Sequence, residues 1–233
     1  MPCYNEGDKL KRNVGEVIDY VKKEIGKTFE VIVVNDGSSD GTESVLSEIS
    51  TLYKEVKVVS YSLNKGKGGA VKEGVKASIG EWVIFMDADL STDLTAIKKS
   101  LELTEQYEVI IGSRRCSDSH LIKKQGKLRQ IIGKSCSKIT NVIIPLKISD
   151  TQCGFKTFKG DLIRDFVSVQ TLNGFSFDVE LLYIAKLNKH QIKEFGVTWE
   201  NDADSRVSIV NSSVSFFVDL FKIRMNKKQY ILK

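Results

Sequence analysis

The chain has 233 residues, 41% hydrophobic and 28% charged, which is enough to bury one substantial core, so a single domain with at most a small extension is expected. Thirty-five Lys and Arg against 30 Asp and Glu leave a net charge of +5, with the excess in residues 114–138 and 222–233; such patches favour phosphates, and sign alone does not choose between a nucleotide, a lipid head group and a nucleic acid. Cys3, Cys116, Cys136 and Cys153 show no C-x-x-C spacing, which speaks against zinc and fits a reduced, cytoplasmic setting; without a long apolar run or a signal-peptide pattern, membrane contact is expected to be peripheral.

In chain order, Met1–Glu6 reads as a polar turn with no strand before it. A loop at the ligand rim of a parallel sheet should follow a strand, so either the first strand is absent, with an exposed sheet edge and poor solubility expected, or, the favoured reading, the natural chain starts further upstream. Leu10, Val14, Val17, Ile18, Val21 and Ile25 fall at helical spacing over 8–25, and Phe29–Val34 is a short apolar run ending at Asn35-Asp36-Gly37. The pattern repeats as a helix near 42–53, a strand near 56–61, a helix near 69–79 and a strand Trp82–Met86 that ends on Asp87. A helix near 94–106 and a strand Val109–Gly112 follow, and residues 114–160 then become basic and less periodic. This alternation predicts an α/β fold, a mainly parallel sheet flanked by crossover helices. Ligands of such sheets bind beyond the carboxyl ends of the strands, where Asp36 and Asp87 both stand.

Met86-Asp87-Ala88-Asp89 offers two hard carboxylate ligands just past an apolar strand, suited to Mg²⁺ or Mn²⁺ beside a departing diphosphate. A solvated turn with a capping Asp explains the same residues, and a phosphatase of Asp-x-Asp type also uses such a pair, although on the first strand of its core. Asn35–Thr42 is explained as an ordinary strand-to-helix turn except for Asp36, whose carboxylate can accept the imide N–H of a uracil. Asn64-Lys65-Gly66-Lys67-Gly68-Gly69 ahead of a helix can attract anions but lacks the full phosphate-loop pattern. Gly112-Ser113-Arg114-Arg115 puts guanidinium groups at the same rim or is a solvated basic loop. Asp150–Lys156 and Phe175–Leu182 are candidate substrate segments: Phe177, Leu181, Ile184 and Ala185 share a helical face, with Asp178 near its N-terminus. Asp178 and Glu180 either face substrate or are a helix-end charge and a solvated side chain. From about Ser208 the tail carries apolar residues on more than one face followed by Arg224, Lys227, Lys228 and Lys233, which reads as packing on the domain or as an interfacial helix with a basic end. The chain therefore divides as 1–207, catalytic, and 208–233, an amphipathic basic helix.

Taken in order, Pro2-Cys3-Tyr4-Asn5-Glu6, Asn35–Thr42, Asn64–Gly68, Asp87-Ala88-Asp89 and Gly112-Ser113-Arg114 resemble the family 2 glycosyltransferases of GT-A fold. Asp150–Phe158, Phe177–Ala185 and Asp204-Ser205-Arg206-Val207 look most like the dolichyl-phosphate β-glucosyltransferases and their polyprenyl-phosphate relatives within that family. The resemblance implies an inverting transfer of a hexose, glucose from UDP-glucose first, onto a polyprenyl or dolichyl phosphate. The alternatives are GDP-mannose or a UDP-N-acetylhexosamine as donor, a saccharide hydroxyl as acceptor, or a catalytically impaired nucleotide-sugar-binding module. It further implies that Pro2, Tyr4, Glu6 and Asp36 hold the uridine, that Lys67 lies beside the nucleotide, and that Asp87 contacts sugar or ribose. Asp89 would ligate the metal, Mg²⁺ or Mn²⁺, and Arg114, Arg129 and Arg206 would meet phosphates. Asp178, Asp150 and Asp89 remain open as the base, with Glu180 also facing substrate; an anionic phosphate acceptor needs a base far less than a hydroxyl does. The partners implied are a nucleotide sugar, a lipid phosphate and the cytoplasmic face of a membrane, and no nucleic acid.

Overall fold

The computed structural model describes residues 1–7, 9–123, 137–200 and 209–232. Helix α1 (Lys9–Tyr20) buries Leu10, Val14, Val17 and Ile18 and runs into a π-helical turn, Val21–Ile25. Gly26, at φ 65°, ends that turn by giving its N–H to the Val21 carbonyl, a left-handed stop that favours glycine. Strand β2 (Val31–Asp36), α2 (Thr42–Leu52), β3 (Val56–Tyr61), α3 (Lys67–Ala77), β4 (Trp82–Met86), α4 (Thr95–Glu102) and β5 (Val109–Ser113) then alternate as the periodicity predicts.

The front of the chain differs from the expectation. Pro2–Cys3 form a short strand, β1, parallel to Val34–Asn35 of β2, and the Val34 N–H donates to the Met1 carbonyl. The first strand is therefore present as a two-residue piece. Below it the sheet parts into β1-β2-β3 and a second group, β4-β7-β5-β8, where β7 is Phe155–Lys159 and β8 is Ile192–Gly196. A cavity of about 590 Å³ lies between β2 and β4, lined by Ile32 and Val34, by Ile84, and by Val17 of α1 and Val71 of α3. Helix side chains thus wall this edge of β2.

Strand β7 enters antiparallel between β4 and β5, so the second group is mixed, while β5 and β8 are parallel. It leads into α5 (Gly160–Val169), followed by α6 (Phe177–Leu187). A two-stranded parallel ribbon of β6 (His120–Lys123) and β9 (Thr198–Glu200) stands beside the sheet. Each face of the sheet has its own core. Val109, Ile111 and Phe158 pack with α3, α5 and α6, whereas Val33, Ile110 and Phe155 pack with α1, α2 and α4. The period-two alternation of the strands makes this division.

The C-terminal helix α7 (Ile209–Met225) belongs to the first of these cores: Phe216, Leu220 and Ile223 are buried there with Tyr230. Its opposite stripe, Val218, Phe221 and Met225, is exposed. The tail thus packs on the domain through one side of the helix and leaves the other side exposed. Among the described residues no helix is long and apolar enough to cross a membrane.

Candidate functional site

The site forms where β2 and β4 end. At the tip of β2, Asp36 is buried, and its Oδ1 accepts from the Tyr61 hydroxyl at 2.7 Å and the Lys65 N–H at 2.7 Å. Its Oδ2 accepts the Gly66 N–H at 2.9 Å, and the Asn64 side chain donates to its carbonyl. The carboxylate thus ties the 64–66 loop to β2 and keeps acceptor capacity on Oδ2. Burial, then the bond to Asp36, push the Tyr61 phenol well above its ordinary pKa, so it stays a donor. Gly66, at φ 91°, has Asn173 backbone where a side chain would stand, and α3 begins one residue later with Lys67. The first loop is stitched to the second: Asn5 N–H donates to Ser38 Oγ, Ser39 N–H to Asn5 Oδ1 and Gly7 N–H to Thr42 Oγ1. Tyr4 stands exposed on this edge.

Asp87 leaves β4 with its N–H on the Gly154 carbonyl, and its carboxylate fills the space that a Gly154 side chain would need. Lys67 Nζ lies 2.6 Å from Asp87 Oδ1, a charge-assisted contact in which the ammonium donates to the carboxylate. Burial opposes the Lys67 charge, but Asp87 and then Asp178 outweigh it and hold the ammonium above its usual pKa. Asn13, the one polar group on the buried face of α1, donates at 2.7 Å to the Ala88 carbonyl between the two aspartates. Asp89 is exposed at the cleft and accepts the Ser91 N–H at 2.9 Å; Leu90 between them sits at φ 55°, a left-handed turn uncommon for a branched residue. Desolvation within the cleft, then the neighbouring Asp87, raise the Asp89 carboxyl above the ordinary carboxylate range.

Arg114 follows β5 and forms a fork with the buried Asp150: Nε at 2.7 Å to Oδ2 and Nη2 at 2.8 Å to Oδ1, with the Arg114 N–H also on Oδ2. Burial works against the Asp150 charge, yet Arg114 prevails and holds this carboxyl below its usual range. Glu194 braces the pair by accepting the Ser149 N–H and hydroxyl and the Asp150 N–H. The guanidinium stacks over Trp199, 5.4 Å from the ring centroid, and Trp199 bridges to Thr92 just after the aspartate turn. Asp36, Asp87 and Arg114 therefore stand at the carboxyl edge of the sheet, at the ends of β2, β4 and β5, and the space beyond that edge is the candidate cleft.

Residues 1–166 match the family described as Glycosyl transferase family 2. The chain belongs to that family. Among curated relatives, the human dolichyl-phosphate beta-glucosyltransferase is 32% identical, over 97% of this chain and 74% of its own length. The enzyme of that name from Dictyostelium discoideum is 29% identical over 96% and 72%. Among solved structures, glucosyl-3-phosphoglycerate synthase from Mycobacterium tuberculosis in complex with UDP has a TM-score of 0.69 at 16% identity, covering 100% of this chain and 79% of that one. The same synthase with Mn²⁺, UDP-glucose and phosphoglyceric acid gives 0.69 at 15% identity, again over 100% and 79%. These likenesses show the GT-A fold.

Within this family 2 chain three carboxylates stand differently from the sequence reading. Glu180 is wholly buried and accepts from Thr171 N–H and hydroxyl, Leu172 N–H and the Tyr230 hydroxyl. These donors make it a hub that joins the loop before α6 to the C-terminal segment. Asp150 is likewise engaged by Arg114. Asp178 is buried and bonded to Lys156. Pro2 lies in β1, and Glu6 is half-buried in the first loop. Arg129 and Arg206 lie outside the described residues.

Asn13 and Tyr61 escaped the sequence reading, although a polar residue interrupting the apolar stripe of α1 was the available sign for Asn13. Gly154 and Lys156 lie in the segment Asp150–Lys156 that the sequence singled out, but neither had a role of its own there. The exposed Asp89 carboxylate, a hard oxygen donor just past the end of β4, fits a hard divalent cation. Among the described residues no three His, Cys, Asp or Glu side chains gather as a metal set, so the remaining ligands would come from the diphosphate.

Proposed function

We propose that this chain is an inverting, metal-dependent hexosyltransferase that moves glucose from UDP-glucose onto dolichyl or polyprenyl phosphate. The observation that carries it is the Lys67–Asp87 pair at the floor of a cleft bordered by Asp36, Asp89 and Arg114, a charge pattern suited to a nucleoside diphosphate bonded to a sugar. The acceptor is argued from the names of the relatives, the donor and cation from the synthase complexes with UDP-glucose and Mn²⁺.

In this reading Pro2, Tyr4, Glu6 and Asp36 hold the uridine, and Asp87 meets the sugar or ribose. Lys67, Arg114, Arg129 and Arg206 face phosphates. Asp89 would hold a divalent cation, Mn²⁺ or Mg²⁺, which when bound would neutralise the leaving diphosphate. An acceptor phosphate oxygen forms the new bond to the anomeric carbon as the bond to UDP breaks. That oxygen is already anionic near neutral pH, so no side chain has to remove a proton. The rate comes from positioning and charge. The chain meets the cytoplasmic face of its membrane peripherally, through the exposed stripe of α7.

The test is a panel of labelled donors, UDP-glucose, GDP-mannose and UDP-N-acetylglucosamine, against dolichyl phosphate with Mn²⁺. Transfer from UDP-glucose is expected, with Asp89→Ala inactive at saturating Mn²⁺. Transfer only from another donor, or full activity in Asp89→Ala, would sink the assignment.

A further inference from the structure

Lys156 is among the largest fully buried side chains of the molecule, on the middle strand of the mixed sheet group, opposite Phe85 and Ile111. Its Nζ donates at 2.5 Å to Asp178 Oδ1 and at 2.6 Å to the Cys153 carbonyl, and lies 5.2 Å from the Phe85 ring centroid. Lys67 Nζ approaches the same ring at 5.7 Å. Asp178 acts on Lys67 electrostatically, and Lys67 contacts Asp87. Charges therefore alternate from the core to the cleft: Lys156, Asp178, Lys67, Asp87.

A buried ion pair is poorly explained by stability, because apolar replacements of similar volume are often neutral or stabilising. Such a pair joined to a functional cleft through alternating charges has another use. We infer that Lys156 is a positioning residue, which through Asp178 fixes the aim of Lys67 toward the donor diphosphate and, through their contact, of the Asp87 carboxylate toward the sugar or ribose. This rests on the proposed transfer reaction. Asp178 then supplies fixed charge and removes no proton.

Lys156→Met alone leaves Asp178 buried and uncompensated, and it is expected to fold poorly. The decisive variant is Lys156→Met/Asp178→Leu, which removes both charges. If the pair is merely structural, this variant recovers melting temperature and activity together. The inference expects a native melting temperature, with kcat for UDP-glucose lowered about 100-fold and the acceptor KM unchanged. Should the double variant not fold, Asp178→Asn takes its place. It keeps an acceptor for Lys156 and removes the anion acting on Lys67, and the same loss of kcat is expected with phosphate and hydroxyl acceptors alike. A folded variant of either kind with wild-type kcat overturns the inference. If the wild type transfers no sugar, the functional reading fails by itself. Calorimetric titration with UDP and Mn²⁺ still decides the inference: binding about tenfold weaker supports it, and unchanged binding overturns it.

Discussion

The absence of a side chain on Gly154 makes the space that the Asp87 carboxylate occupies. The two residues are also joined through backbone, the Asp87 N–H donating to the Gly154 carbonyl, so the aspartate is held on one side and admitted on the other. A methyl group at Gly154 has to displace Asp87 Oδ2. Gly154→Ala is therefore expected to push Asp87 off Lys67 and to lower kcat about 100-fold, the scale of an ångström-sized misplacement. Overpacking should cost only about 1–3 kcal/mol of stability. Steady-state transfer assays beside thermal melts check this, and a variant of undiminished kcat would show that Asp87 can move freely.

The Arg114–Asp150 fork gives stability a pH dependence of definite sign. Asp150 has a folded-state pKa below its unfolded value, because Arg114 outweighs burial. Its contribution is therefore fully present above the unfolded carboxylate pKa and disappears as pH falls through the lower, folded value. Asp150→Asn keeps the shape without the charge. That variant is expected to be less stable near neutrality and to lose less melting temperature than wild type between pH 6 and pH 3, both about one to two units either side of the ordinary carboxylate range. Parallel acid limbs for the two proteins would contradict the assignment.

The regular elements were legible because their cores impose periodicity: β3 and β4 lie where the apolar runs place them, and α1 to α4 differ only at their ends. Strand β7 was not. Lys156 and Lys159 make Phe155–Lys159 look like a surface segment, yet it runs antiparallel through the middle of the mixed group with Lys156 buried. The order of motifs along the chain pointed to the carboxyl edge of the sheet, where Asp36 ends β2, Asp87 follows β4 and Arg114 follows β5. What sequence could not supply was the direction in which a carboxylate faces. Asp178 and Glu180 are neighbours at one helix start, but their partners are Lys156 on a sheet strand and Tyr230 near the C-terminus. No local pattern encodes such pairings, because tertiary packing creates them.

Glu180 is the cleanest case of that distinction. Its four donors, from Thr171, Leu172 and Tyr230, tie the loop before α6 and the C-terminal segment to one carboxylate. Glu180→Ala strands them in a buried setting and is expected to cost about 3 kcal/mol or more. The kcat of the molecules that remain folded should match wild type, since the carboxylate does not reach the cleft. Denaturant melts combined with active-site titration separate the two effects. Loss of kcat at full folding would return Glu180 to the reaction.

Helix α7 makes the proposed membrane contact testable apart from catalysis. Its buried residues, Phe216, Leu220 and Ile223, are needed for the core, whereas Val218, Phe221 and Met225 form an exposed stripe 50%, 59% and 83% accessible. Arg224, Lys227 and Lys228 lie beside or just beyond it, a pattern that inserts apolar groups among acyl chains while cations meet anionic head groups. Helix α7 is docked on the domain partly by Ser176 donating to Asp219, so the exposed stripe can change without disturbing the fold. Phe221→Asp/Met225→Asp is expected to weaken flotation on phosphatidylserine-containing vesicles at least about tenfold, because two apolar anchors become anions. Binding of UDP should be unchanged, as should transfer to a short-chain, water-soluble acceptor phosphate. Equal flotation of the two proteins would mean that the stripe is not a membrane-facing surface.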